Sequence, residues 1–200
     1  MSYALLSVSN KEGIVDFARS LVGCGYTIIS SGGTHKVISE ADIPVMKVSE
    51  YTDLPEILEG RVKTLHHRIH GGILAKRGHL LHEMDCNGNG IELIDIVAVN
   101  LYPFKETVAK PDVTFAEAIE NIDIGGPSMV RSAAKNHRYV AVLTNPNQYG
   151  IFLDVLNGNT SSIKVEELKT QFALEAFNHT ADYDTAISEW MMQNYSETNE

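Results

Sequence analysis

Residues 60 to 72, Gly-Arg-Val-Lys-Thr-Leu-His-His-Arg-Ile-His-Gly-Gly, gather three cations and three imidazoles in one short stretch. Two chemistries are open to such a cluster. Arg61 and Lys63 alternate, so in an extended segment they point the same way. Thr64 adds a hydroxyl. A guanidinium fork beside an ammonium suits a phosphate monoester. The imidazoles offer a metal instead. His66 and His70 are four apart and share a helix face, a spacing found in some zinc sites. Arg68 stands between them where a zincin has Glu, and no third ligand is evident. His79, His82 and Cys86 form only a loose second cluster. The pattern favours an anion site and no metal. The plainer alternative is a solvated basic face with structural histidines.

Four further stretches carry groups of the same kind. "SVSNK" offers Ser9 and Lys11, and "SSGGT" offers Ser31, Gly33 and Thr34. Hydroxyls, glycines and a lysine at strand ends suggest a phosphate cradle built on helix-start amides. A tight turn with a Thr cap would look the same. Asn100 and Tyr102 follow the most apolar run of the chain. Asp123 precedes Gly125 and Gly126, and Lys135 closes the segment after them. Asp123 could be a helix cap or a base. A helix from Gly126 to Lys135 is about 14 Å long. Asp123 and Lys135 would then lie at its opposite ends, and a site using both would have to be built across a subunit interface.

These groups need a frame. "YALLSV" (3–8), "YTIIS" (26–30), "PVMKV" (44–48), "IDIVAVNLYPF" (94–104) and "RYVAVLT" (138–144) read as short, buried strands. Between the first two lies a helical pattern through Ile14, Phe17, Ala18, Leu21 and Val22, with Ser9 as its expected cap and Gly23 and Gly25 at its end. "SGGT" reads as an exit turn and "HKVISEAD" as a short helix. The 50–90 region is less regular and includes a loop at "DCNGNG". "VTFAEAIENI" and the segment after Gly125-Gly126 are helical, as is a stretch through about Leu156. From about Val165 to Tyr195 the pattern is helix alone, and "YSETNE" reads as a frayed end or linker. The expected fold is α/β: a three-layer arrangement, a mostly parallel sheet flanked by helices. Residues 1–150 would form the nucleotide-binding core and 151–200 a helical C-terminal extension packed on the same domain. In such sheets ligands bind at the carboxyl ends of the strands.

Composition limits the partners. The chain has 200 residues, 44% hydrophobic and 21% charged, with a net charge of −10. Bulk electrostatic binding of nucleic acid is not expected. An anion would be held by local cations on an acidic background. Two cysteines make no disulfide framework. The N-terminus has no signal-peptide pattern, and no run approaches the ~18 apolar residues of a membrane helix. A soluble, cytoplasmic protein is expected, with no nucleic-acid or membrane partner.

Six collinear stretches carry a resemblance: "LLSVSNKEG", "SSGGTHK", "GRVKTLH", "VAVNLYPF", "IDIGGPSMVRSAAKNH" and "FNHTADYDTAIS". Together they resemble the IMP cyclohydrolase domain of the bifunctional purine-biosynthesis enzyme, which also carries AICAR transformylase. The resemblance runs from residue 3 to about 195. It implies a methylglyoxal-synthase-like fold and a homodimer. It implies dehydrative closure of 5-formamidoimidazole-4-carboxamide ribotide to IMP, a reaction that needs no metal or other cofactor. The folate-dependent transformylase half would lie outside these residues. By motif, Ser9, Lys11, Ser31, Gly33, Thr34, Arg61 and Thr64 would hold the nucleotide, chiefly its phosphate. Lys63 and Tyr102 would work at the formyl end. Asp123 would accept the carboxamide proton, with Lys135 tuning it or relaying the proton. Asn100 and the backbone of Ile124 and Gly125 would line the base pocket. The family pattern has Pro where this chain has His67, a change that bears on the backbone near Lys63. Two rivals share the fold: a methylglyoxal synthase and a regulatory nucleotide-binding module. The "NLYPF" and "AAKNH" stretches speak against the first. The second would not require Lys63, Tyr102, Asp123 and Lys135 together.

Overall fold

Five strands form one parallel sheet in a computed structural model that describes residues 2–159 and 164–194. They are β1 (Ser2–Leu6), β2 (Tyr26–Ser30), β3 (Val45–Lys47), β4 (Ile94–Ala98) and β5 (Ala141–Leu143), in spatial order β3-β2-β1-β4-β5. Leu5 of β1 stands opposite Ile29 of β2 and Val97 of β4. Ala4, Leu5, Leu6, Ile28, Ile29, Ile96 and Val97 are fully buried. Consecutive residues buried in this way require cover on both faces of the sheet, which is why these strands read as unbroken apolar runs. Each such large side chain contributes roughly 1.5–3 kcal/mol by leaving water.

The helices are α1 (Ile14–Gly23), α2 (Gly32–Glu40), α3 (Val48–Thr52), α4 (His67–Leu74), α5 (Leu80–Asn89), α6 (Phe104–Val108), α7 (Phe115–Glu120), α8 (Gly125–Lys135), α9 (Gln148–Leu156) and α10 (Val165–Asn194). Helix α1 packs on α2 and α9, α4 packs on α8, and α10 runs along α8 and β5. Phe17 of α1 stacks on Tyr149 of α9 at 4.3 Å between centroids. Leu168, Phe172, Ala176 and Tyr183 of α10 join the same core as the strands. No described helix is long and apolar enough to cross a membrane.

Several local expectations change. Ser9 does not cap the first helix. That helix starts after Gly13, whose φ of 67° is the left-handed region, and the Ser9 N–H instead donates to Asn100 Oδ1. The "SGGT" segment is the first turn of α2 rather than a turn before it, so that helix begins at Gly32, not at His35. "DCNGNG" closes α5 rather than forming a loop. Its helix ends only at Gly90, in the left-handed cap geometry that glycine favours. The last strand is shorter than expected because Asn136–Tyr139 turn first. The tail 195–200 lies outside the described residues.

Candidate active site

The order of the strands reverses at β1, where the chain leaves β3 and crosses to β4 on the other side. A crevice outside the carboxyl ends follows from that reversal. Asn100, just past β4, bridges it. Its Oδ1 accepts the N–H groups of Ser9 (2.7 Å) and Asn10 (2.8 Å), and its Nδ2 donates to the Asn10 carbonyl at 3.1 Å. The Asn100 amide is therefore a clasp between the β1 and β4 loops.

The β2 side gathers the residues expected to form a cradle. Thr34 is buried; its Oγ1 accepts from Val8 N–H (2.9 Å) and donates to the Val8 carbonyl (3.0 Å), which pins α2 to the β1 loop. Ser31 and Ser7 pair through their hydroxyls at 3.3 Å. Lys11 Nζ donates to the Ser9 carbonyl at 3.2 Å, and its chain crosses Gly33 so closely that a Cβ there would stand 3.3 Å from Lys11 Cε. The first amides of α2 thus open beside a lysine, over a residue without a side chain, as an anion requires.

On the β4 side the chain is less regular, and one expectation fails. Residues 61–64 are not extended. A 3₁₀ turn at Leu58–Gly60 leads into Arg61 in helical geometry (φ −62°, ψ −28°), so Arg61 and Lys63 do not alternate along a strand. Leu58 and Glu59 both adopt left-handed φ, of 53° and 56°. The Arg61 guanidinium is exposed and paired with Glu120, with one bond from Nε at 3.1 Å and a second from Nη2. Thr64 is 4% exposed and faces Gly125, where a Cβ would stand 2.5 Å from its Oγ1. A side chain at Gly125 would push Thr64 away.

Asp123 lies at the centre of this side. Its Oδ1 accepts from Gly126 N–H at 2.8 Å, so it does cap α8. A Cβ on Gly126 would stand 2.3 Å from Asp123 Oδ2 and 2.8 Å from Leu101 Cδ2. Glycine is what lets the carboxylate and the β4 loop close on the helix start. Burial raises the Asp123 pKa. The Gly126 amide and the nearby Lys63 charge oppose that rise. The cation acting on Asp123 within one chain is therefore Lys63. Lys135 sits exposed at the other end of α8.

A continuous series of contacts now links the cradle to this carboxylate: Gly33 to Lys11, Lys11 to Ser9, Ser9 to Asn100, then Leu101 to Gly126 and Asp123. Tyr102 stands beside it, 53% exposed. Ile124 is also exposed, at the entrance to α8. A cavity of about 650 Å³ opens at the rim, lined by Ser9, Asn100, Thr144 and Asn147 among others. It lies toward β5, and Lys11, Lys63 and Asp123 are not among its walls.

The histidines have other tasks. His66 Nδ1 accepts from Arg68 N–H and caps α4, and its ring lies 4.4 Å from that of the exposed His67. His70 Nδ1 and Ser132 Oγ are 3.1 Å apart, tying α4 to α8. His82 Nδ1 accepts from Lys76 N–H. Among the described residues no three His, Cys, Asp or Glu side chains converge on a point a metal could occupy.

Two site neighbours escaped the sequence reading. Tyr183 Oη accepts from Asp123 N–H at 2.7 Å, and His179 Nε2 accepts from Leu101 N–H at 3.4 Å. Both belong to the "FNHTADYDTAIS" stretch, whose residues carried a resemblance but whose contacts lie 60 and 78 residues away.

Comparison with known proteins adds a separate line. Residues 13–128 match the model of the MGS-like domain, and residues 133–200 match that of the AICARFT/IMPCHase bienzyme. The chain is 59% identical over 189 residues to the Bifunctional purine biosynthesis protein PurH of Prochlorococcus marinus (strain MIT 9211). It is 60% identical over 191 residues to the protein of that name in Synechococcus sp. (strain CC9902). These alignments cover 94% and 95% of this chain but 36% of each relative, so the chain spans about a third of their length. The crystal structure of ForH superposes with a TM-score of 0.81 at 32% identity, covering 94% of this chain and 97% of that one.

Proposed function

The chain belongs to the family of MGS-like domains that continue into the AICARFT/IMPCHase region, and from that premise we propose that it is an IMP cyclohydrolase acting in purine biosynthesis. The substrate is 5-formamidoimidazole-4-carboxamide ribotide. Its carboxamide nitrogen attacks the formyl carbon and a C–N bond forms. The carboxamide nitrogen gives up one proton and the formamido nitrogen a second; both pass to the former formyl oxygen, the C–O bond breaks, water leaves, and a C=N bond completes the hypoxanthine ring. Both reacting groups sit on one molecule, so much of the advantage of proximity is already present. What the protein must supply is a grip on the phosphate, a base for a weak nucleophile and donors for the developing oxyanion.

The residues on the rim suit those tasks. The amides opening α2, with Ser31, Gly33, Thr34, Lys11 and Ser9, take the phosphate, and Arg61 and Thr64 add to the grip. Arg61 must exchange its Glu120 partner for the substrate to do so. Lys63 and Tyr102 donate to the formyl oxygen; one such preorganised donor is worth roughly 3–4 kcal/mol. Asp123 accepts the carboxamide proton. Asn100, Ile124 and Gly125 line the base. The observation that carries this reading is the half-buried Asp123 carboxylate, within the field of the Lys63 charge, at a helix start that only glycine allows. Lys135 cannot reach Asp123 along its own α8, so we assign it to a second copy of the chain in a homodimer. The reaction is placed in the cytoplasm, consistent with two unpaired cysteines. Closure of the formamido ribotide, followed by the ultraviolet absorption of hypoxanthine, tests the proposal. Turnover should persist after exhaustive chelation with metal content checked by elemental analysis. Loss of activity restored by zinc would reject the anion-site reading of residues 61–68.

A further inference from the structure

Helix α10 supplies none of the proposed catalytic groups, yet it holds the backbone of both loops that do. Leu101, just before Tyr102, donates its N–H to His179 Nε2 at 3.4 Å. Asp123 donates its own N–H to Tyr183 Oη at 2.7 Å. His179 and Tyr183 are four residues apart and project from one face of the helix. The two loops also converge on Gly126, where Leu101 Cδ2 and Asp123 Oδ2 both crowd the space a side chain would need. Leu101 is 6% exposed and Asp123 is half-buried, so either amide deprived of its acceptor loses a partner at a partly buried site.

Packing alone does not fix the β4 loop. A cavity of about 320 Å³ lies against it, lined by Leu101, Tyr102, His179 and Tyr183. The loop is anchored beyond it by Phe104, edge-on to the rings of Tyr183 and Trp190 at 6.3 and 5.7 Å. Between that anchor and the Asn100 clasp, the His179 bond holds the backbone entering Tyr102, and a bond from Phe104 N–H to the Tyr102 carbonyl (2.8 Å) holds it leaving.

We infer that His179 and Tyr183 are positioning residues that set the spacing between Tyr102 and Asp123, and thereby between the donor and the base of ring closure. The inference rests on the cyclohydrolase reading. A shift of about 1 Å in such a pair costs on the order of 10²-fold in rate. The α2 amides, Ser31, Gly33, Thr34 and Lys11 of the phosphate cradle lie on the β2 side and, among the described residues, make no hydrogen bond to α10, so the larger effect belongs to kcat rather than to nucleotide binding.

The test compares the unaltered chain with Tyr183→Phe, His179→Ala and His179→Gln. Closure kinetics, IMP affinity by calorimetry and thermal unfolding are measured on each. Tyr183→Phe keeps the ring against Phe104 and removes only the hydroxyl. It and His179→Ala should lower kcat by roughly 10–100-fold while KM and the IMP Kd stay within about threefold. His179→Gln offers an acceptor in the same place and should recover most of the loss. If Tyr183→Phe fails to fold, the His179 pair decides. A kcat within about threefold of the unaltered chain in both His179→Ala and Tyr183→Phe, whatever their Tm, would overturn the inference. So would a fall in IMP affinity that tracks the fall in kcat, or no recovery with Gln. Inactivity of the unaltered chain toward the formamido ribotide would overturn the functional reading instead.

Discussion

Burial raises the pKa of Asp123, so the ionised form that can accept a proton is the one the fold disfavours. Two consequences follow, with opposite signs. The closure rate should fall as pH falls through that raised pKa, because the base is lost. Stability runs the other way. A carboxyl whose folded pKa exceeds its unfolded one adds stability below the unfolded pKa, and that stability is lost as pH rises through the folded pKa. Asp123→Asn keeps the acceptor for Gly126 and removes the buried charge. Its Tm at pH 7.5 should therefore exceed that of the unaltered chain, with the gap narrowing as pH falls toward about 4. A lower Tm at neutral pH would show that the carboxylate is stabilised where we place it as strained. Arg61 and Lys63 separate differently. Arg61 is exposed and meets the phosphate in ground and transition states alike, so Arg61→Ala should mainly raise KM. Lys63→Ala should mainly lower kcat. Steady-state kinetics with the reverse pattern would mean that the two roles are exchanged.

At the scale of elements, glycines record where backbones meet. Gly72 of α4 is buried, and a Cβ there would stand 2.4 Å from the Glu92 carbonyl oxygen, a backbone atom with no rotamer to escape into. Gly72→Ala should cost about 1–3 kcal/mol in denaturant unfolding. Gly150 lies on the exposed side of α9 with nothing within 4 Å, and Gly150→Ala should gain about 0.5–1 kcal/mol. Equal effects at both positions would contradict the packing described. The same scale explains what was legible in advance. Strands such as Tyr26–Ser30 and helices such as Val165–Asn194 were readable because their apolar pattern matches their burial. The cap of α1 was not, because Ser9 is drawn off by Asn100, a partner 91 residues away. Residues 61–64 misled for a related reason. Alternating cations suggest a strand, but left-handed Leu58 and Glu59 and the distant Glu120 fix a turn there. The influence of the Lys63 charge on Asp123 is likewise tertiary, and nothing local in the sequence points to it.

At the scale of the whole molecule, α8 keeps Asp123 and Lys135 at its two ends, so the proposed site needs two copies to be complete. Asp123→Asn and Lys135→Ala should each be crippled alone. Mixed under conditions where subunits exchange, they should regain part of the activity, because a mixed dimer holds one site with both defects and one with neither. A mixture that exchanges subunits and stays inactive would reject the shared site. The sequence carried the parallel sheet, which follows from the alternation of strand and helix patterns, and it put the candidate residues just after the strands. It could not carry how one copy meets another. The central claim is that this chain closes the formamido ribotide with Asp123 as base. The direct measurement is the single-turnover rate of hypoxanthine formation by the unaltered chain and by Asp123→Asn, each saturated with substrate and each shown to bind IMP. The account predicts closure by the unaltered chain and a rate roughly 10²-fold or more lower for Asp123→Asn. No closure by the unaltered chain, or near-equal rates in the two, would contradict it.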